Sequence, residues 1–204
     1  MTGSCAVIVF AKAPIAGYAK TRLARAIGDQ AAARLAQRML AETVKNAVAA
    51  EVGPVELCCA PDDSHPAFTS AKSTHGLALT LQGEGDLGIR MHRALERTLR
   101  HHPHALLIGT DAPGLGPQQL RDAADLLRSH PAVFAPAVDG GYVLVGLSAP
   151  QPRLFEDIAW STPQVMAQSR QRACELGLAL GELPTLADVD EPEDLVHVPK
   201  EWLK

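Results

Sequence analysis

Aromatic residues make up only 4% of this 204-residue chain. Packing must therefore fall to Val, Ile, Leu and Ala, within a hydrophobic fraction of 47% that is ordinary for a globular core. Cysteine is as sparse: Cys5, Cys58, Cys59 and Cys174 form no CxxC and no Cys/His zinc spacing. Cys5 and the Cys58-Cys59 pair sit in apolar, strand-like runs and Cys174 in a helical stretch, and buried free thiols are expected of all four. No apolar run approaches the ~20 residues needed to span a bilayer. The first residues also lack a basic stretch followed by an apolar core and a cleavage site. A soluble, cytoplasmic protein without a membrane span is expected. Positive charge is not in excess either. The formal net charge of -4 argues against a broad nucleic-acid-binding face, while leaving room for a local basic pocket. The P-loop spacing G-x-x-x-x-G-K-[ST] is absent, and no Ser/His/Asp triad or activated cysteine is suggested by local context. Internal repeats and long low-complexity tracts are absent as well.

What is present is an alternation of short apolar runs with helical segments. Strands are expected at 5–10, 55–60, 77–81, 105–109, 132–137 and 141–147, with a last one at 178–183. Helices are expected over 29–50, 66–76, 87–101, 117–129 and 163–177, the first of them opened by Asp29 as N-cap. A loop is expected between the first strand and that helix. This alternation predicts an α/β fold with a mainly parallel sheet, in one domain covering residues 1–204. The connection around Asp139-Gly140-Gly141 is too short for a crossover, so the strands flanking it are expected to be antiparallel.

The residues that could carry chemistry sit at the ends of these strands. Lys12, Lys20 and Arg22 crowd the loop after the first strand. A phosphate chain needs close backbone approach, which Gly17 permits, a point charge such as Lys20, and a planar fork such as Arg22. The plain alternative is a solvated loop leading to a helix. Asp111 follows a buried apolar strand directly, and a hard cation such as Mg2+ wants carboxylate oxygens together with phosphate oxygens. Its plain alternative is a turn or helix cap. Asp188 and Asp190 offer a second carboxylate source, or simply an acidic turn. Asp139-Gly140-Gly141-Tyr142 carries a hairpin signal, and equally a backbone edge that a substrate could approach. Trp160-Ser161-Thr162 either lines an acceptor pocket or starts a helix. Ligands of open α/β sheets bind beyond the carboxyl ends of the strands. Cations at one strand end and carboxylates at others therefore suggest a phosphorylated ligand held by a divalent metal.

Taken in order, four segments resemble one family. They are Lys-x-Pro-x-x-Gly-x-x-Lys-Thr-Arg-Leu at 12–23, Thr-Asp-x-Pro at 110–113, Asp-Gly-Gly-Tyr at 139–142 and Asp-x-Asp at 188–190. They resemble the small bacterial glycosyltransferase-A-like proteins related to 2-phospholactate guanylyltransferase. More distantly, they resemble molybdenum cofactor guanylyltransferase and sugar-phosphate nucleotidylyltransferases. The resemblance runs from Val7 to Leu195. It implies a nucleotide-diphospho-sugar transferase fold, a Rossmann-like three-layer sandwich with a mainly parallel mixed sheet and the nucleotide over its carboxyl edge. By position it implies that Lys12, Lys20 and Arg22 bind nucleotide phosphates. Gln82, Gly83 and Gly85 would lie beside the base or ribose. Asp111 and Asp190, with Asp188 close behind, would hold Mg2+ or Mn2+, and Asp139, Gly140 and Gly141 would face the acceptor. One departure is the loop after the first strand, which lacks the Gly-x-Gly-x-Arg pattern of nucleotidylyltransferases. The fold hosts more than one reaction. The resemblance therefore implies nucleotidyl transfer from an NTP to a phosphorylated acceptor, or glycosyl transfer from a nucleotide-sugar with Asp139 as candidate base. The alternative from another class is a noncatalytic nucleotide-binding protein.

Overall fold

The computed structural model describes residues 5–203. Strands β1 (Cys5–Lys12), β2 (Val55–Ala60), β3 (Ala78–Leu81), β4 (His104–Ile108), β5 (Ala132–Pro136), β6 (Tyr142–Leu147) and β7 (Leu180–Glu182) form one seven-stranded sheet in the order β3-β2-β1-β4-β6-β5-β7. All neighbours run parallel except β6, which is antiparallel to both β4 and β5. The short Asp139–Gly141 connection thus joins antiparallel strands, as its length requires.

The helices are α1 (Thr21–Ile27), α2 (Asp29–Ala49), α3 (Pro66–His75), α4 (Leu87–Leu99), α5 (Pro117–Leu126) and α6 (Val165–Glu175). They cover both faces of the sheet, which is why the central strands read as continuous apolar runs and not as alternating ones. On one face Val7, Val9, Leu57, Leu106 and Ile108 pack with Leu40 and Val44 of α2 and Leu120 of α5. On the other, Ile8, Leu107, Phe134 and Val145 pack with Met91 and Leu95 of α4 and Met166 of α6. A third cluster joins Leu23 of α1, Leu35 and Met39 of α2, and Val189 and Val198 near the C-terminus. The architecture is therefore the α/β, Rossmann-like arrangement with a mainly parallel mixed sheet. No helix among the described residues is long and apolar enough to cross a membrane.

Several local expectations need correction. The segment expected as a loop contains α1, a seven-residue helix with a single buried residue, Leu23. Asp29 is the first residue of α2 and not its cap; that position belongs to Gly28, whose φ of +82° separates the two helices. Strand β1 runs on to Lys12 because its pairing with β2 continues to Lys12 opposite Ala60. Helices α4 and α5 stop short of the expected 101 and 129, and β7 spans only three residues.

Topology places the site. From β1 the chain moves outward through β2 and β3, then crosses back to β4 on the other side of β1. The order of strands reverses between β1 and β4, and a crevice opens at their carboxyl ends.

Candidate active site

At this reversal lies a cavity of about 470 Å³, within the range of small-molecule sites. Four cations, Lys12, Lys20, Arg22 and Arg90, and two carboxylates, Asp111 and Asp190, line it. Each arrives by a different route. Lys12 ends β1, Asp111 follows β4, and Arg90 stands in the first turn of α4. Lys20 precedes α1 in the left-handed conformation, with φ +51°. A second groove of about 490 Å³ lies away from the strand ends, between α2 and the C-terminal turns, and is lined by Arg34, Arg38 and Trp202 among others.

Lys20 is the hub. Its side chain is 6% exposed, against 44% for Asp111 and 43% for Asp190. The ammonium is 2.5 Å from Asp111 Oδ1, and donates to Asp190 Oδ1 at 2.8 Å and to the Val189 carbonyl at 2.7 Å. Burial opposes the charge, but the adjacent Asp111 and Asp190 carboxylates outweigh it and raise the lysine pKa, so the amine stays protonated. The backbone holds the same three segments together. Val189 N–H donates to the Asp111 carbonyl at 2.8 Å, and the Val189 side chain is buried beside Leu23 of α1. Segments far apart in sequence thus meet on one nitrogen.

The other basic groups are held less tightly. Arg22 faces Glu191 at 3.2 Å, with both side chains about half exposed, a pairing worth about 0–1 kcal/mol. Arg90 Nη1 donates to Gln82 Oε1 at 3.0 Å. Gln82 also lines the cavity, yet it is only 2% exposed. Its amide nitrogen donates to the carbonyls of Ala11 at 3.0 Å and Cys58 at 3.2 Å. Its polar atoms are therefore committed to joining β1, β2 and α4.

Not every expected residue reaches the cavity. Gly17, Gly83, Gly85, Asp139, Gly140, Gly141 and Asp188 are not among its lining residues. Gly83 and Gly85 carry positive φ in the turn from β3 to α4, and Arg93 donates to the Gln82 and Glu84 carbonyls across that turn. Asp139 Oδ1 accepts from Gly141 N–H at 2.7 Å and so caps the β5–β6 hairpin. Asp188 does not share Lys20; burial, and then the charge of Asp139, push its carboxyl up to about 6. Of the 160–162 segment, Ser161 lines the cavity, with φ +63°. All four cysteines are free, and burial pushes the Cys5 and Cys59 thiols up to about 12, which leaves them inert. Cys174 departs from the expectation of buried thiols, since it is exposed.

Residues 43–162 match the family described as "Uncharacterized protein conserved in bacteria (DUF2064)". The chain belongs to the DUF2064 family. The matched span of this DUF2064 protein holds Gln82, Arg90 and Asp111, whereas Lys20 and Asp190 lie outside it. No curated protein of known function matches the sequence. Among solved structures, the DUF2064 protein is similar to a Desulfovibrio desulfuricans G20 protein assigned by name to the nucleotide-diphospho-sugar transferases. The two share 25% identity and a TM-score of 0.86 over 96% of this chain and 87% of that one. It also resembles a Mycobacterium tuberculosis protein solved with manganese, at 17% identity and TM-score 0.59 over 96% of this chain and 98% of that one. A third is the inositol-1-phosphate CTP transferase of T. maritima, at 13% identity and TM-score 0.59 over 100% and 96% of the two chains. The fold is that of the nucleotide-diphospho-sugar transferases.

Arg90 was not anticipated in the DUF2064 sequence. Its signal is an Arg in the first turn of a helix that begins beyond the carboxyl end of a strand, where backbone N–H groups and a cation can face the same anion.

Among the described residues no three His, Cys, Asp or Glu side chains converge as a metal-binding group. The donors on hand are the Asp111 and Asp190 carboxylates and the Val189 carbonyl, all on one cation already. Mg2+ commonly takes one or two carboxylates and completes its shell with water and substrate phosphates. These oxygens fit such an ion, or Mn2+.

Proposed function

We propose that this protein is a divalent-metal-dependent nucleotidyltransferase that moves a nucleotidyl group from an NTP to a small phosphorylated acceptor. The observation that carries the proposal is the convergence of Lys20, Asp111 and Asp190 in a cavity where four cations face two carboxylates. In a chain of net charge -4, a local positive excess of this kind suits a polyanion. Likeness in fold to a CTP transferase and to a manganese-bound protein supports the same reading.

In this mechanism Lys12, Arg22 and Arg90 hold phosphate oxygens, with Gln82 fixing the aim of Arg90. Asp111 and Asp190 would hold the divalent ion, which offsets charge on the phosphates. A phosphate oxygen of the acceptor attacks the α-phosphorus of the NTP. A new P–O bond forms there, the bond from the α-phosphorus to the bridging oxygen breaks, and pyrophosphate departs with the electron pair. Lys20 and Arg22 stabilise that leaving group. No protein nucleophile is needed, because positioning and charge stabilisation supply the rate. Glycosyl transfer would need a base for the acceptor hydroxyl. Its candidate, Asp139, has one oxygen engaged by Gly141 and does not line the cavity, which favours nucleotidyl transfer.

The test is a thermal-shift screen of NTPs and sugar nucleotides, each with and without Mg2+ or Mn2+, since a ligand of the native state stabilises it by mass action. A metal-dependent shift with an NTP, lost in Asp111→Asn, is the expected result. A shift with sugar nucleotides alone would move the assignment to glycosyl transfer. A nucleotide shift without turnover on any phosphorylated acceptor would favour the noncatalytic nucleotide-binding alternative, and the absence of any shift would overturn the nucleotide reading itself.

A further inference from the structure

Lys20 presents a conflict of roles. The phosphate-binding part assigned to it above requires a free ammonium, yet this one already faces three oxygens: it donates to Asp190 Oδ1 and the Val189 carbonyl and is ion-paired with Asp111 Oδ1 at 2.5 Å. These are also the oxygens that suit a divalent ion. A magnesium ion sits about 2.0–2.1 Å from its oxygens, so on this set it would crowd a nitrogen already 2.5–2.8 Å from the same atoms. The two cations would also repel strongly at such a separation, because the lysine is 6% exposed and poorly screened by water. Both cannot hold the cradle at once.

We infer that Lys20 is a resident cation on the metal site: ammonium and divalent ion compete for the Asp111, Asp190 and Val189 oxygens, and the ion enters when Lys20 transfers to the phosphates of the incoming nucleotide. The inference rests on the metal-dependent reading above. Its chemistry is an exchange of partners with no covalent change. The lysine stem is unbranched and its three donors rotate freely, and Lys20 lines the same cavity as Lys12 and Arg22, where the phosphates would lie. Metal alone has to displace the ammonium and strand its charge. Metal with phosphate gives that ammonium new acceptors. The two ligands must therefore bind cooperatively, and the coupling is reciprocal.

The experiment is a titration with Mn2+, read from the electron-paramagnetic-resonance signal of the free ion, with and without inorganic pyrophosphate and against protein-free controls. Wild type, Lys20→Met and Lys20→Arg are compared, with Lys20→Gln in reserve should the methionine variant fold poorly. Lys20→Met should bind Mn2+ alone at least tenfold more tightly than wild type, and Mn2+ should raise its melting temperature more. Lys20→Arg, which keeps a cation in place, should stay weak. Pyrophosphate should strengthen Mn2+ binding to wild type at least tenfold, and to Lys20→Met by less. If wild type takes up Mn2+ with pyrophosphate but Lys20→Met binds Mn2+ no more tightly than wild type, the exchange is wrong and the metal reading stands. If no variant binds Mn2+ with pyrophosphate or with any NTP, the metal reading fails and takes the exchange with it.

Discussion

Gln82→Leu isolates the joint beneath the cavity. The side chain is 2% exposed and makes three bonds: its nitrogen donates to the carbonyls of Ala11 and Cys58, and its oxygen accepts from Arg90. Ala11 and Cys58 are themselves 1% and 0% exposed. Leucine fills nearly the same volume, so no large cavity forms and the loss is mainly of hydrogen bonds. A buried polar group left without its partner costs about 1–3 kcal/mol. Two carbonyls lose a donor, and the Arg90 end reaches the cavity, where water can serve it. The expected loss is about 2–4 kcal/mol. For a domain of this size 1 kcal/mol moves the melting temperature by roughly 2–4 °C, so a drop of about 4–16 °C is expected. Urea denaturation with linear extrapolation would measure the free energy directly. Gln82→Glu sharpens the test. A carboxylate still accepts from Arg90 but turns a negative oxygen toward two carbonyls, so at pH 7 it should be at least as damaging as leucine. Its folded-state pKa would be raised, so part of the stability should return as the pH falls and a protonated acid can donate again. A Gln82→Leu protein within about 0.5 kcal/mol of wild type, the range of ordinary surface changes, would refute the reasoning.

Two further predictions concern expected site residues that do not line the cavity. Asp188 is held at about 6 against an ordinary 3.8, by burial and then by Asp139. Because the fold prefers its protonated form, that stability is present at low pH and is lost as the pH rises from about 4 to 6. Asp188→Asn should therefore be more stable than wild type at pH 7.5, by about 1 kcal/mol once the full shift is discounted for a half-exposed group. The advantage should vanish near pH 4 in melting curves taken across the range; a gain that does not change with pH would sink the argument. Gly140 has φ +88°, and a Cβ there would stand 2.2 Å from the Pro163 carbonyl oxygen, while the Gly140 carbonyl accepts from Met166 N–H at 2.8 Å. Gly140→Ala should prise the hairpin from the 160–163 loop and lose about 2–4 kcal/mol in urea denaturation; an unchanged midpoint would show that this contact is slack.

The strands were legible in the sequence because burial on both faces leaves continuous apolar runs such as Val7-Ile8-Val9 and Leu106-Leu107-Ile108. Helix α1 was not, and the reason is physical: with Leu23 its single buried residue, it shows no apolar period to detect. It forms because Leu23 is drawn into a cluster with Leu35, Met39, Val189 and Val198, a set spread along most of the chain. Gly83 and Gly85 illustrate a different limit. A glycine that admits a phosphate and one that turns the chain look alike in sequence. Here a Cβ at Gly83 would stand 2.6 Å from Arg93 Nη1, so the space beside this glycine is taken by the protein's own arginine. Gln82 was legible as a polar residue after a strand, and through the resemblance as a neighbour of the base or ribose, but nothing in its neighbours reveals that its amide is already engaged.

Lys20 shows where chemical type stops being informative. A lysine in the loop after the first strand and a carboxylate at the end of another are each legible as site chemistry, because the carboxyl edge of an α/β sheet is where ligands bind. Which partner the lysine takes is set by distance, and Lys20 is separated from Asp190 by 170 positions in the chain. The third cluster decides the matter: by burying Val189 beside Leu23 it draws the Asp190 carboxylate onto the residue that precedes α1. The hydrophobic contact and the ionic one are therefore a single construction. A substitution such as Val189→Ala should loosen the carboxylate pair about Lys20, because the Lys20 cluster and the C-terminal packing share that residue.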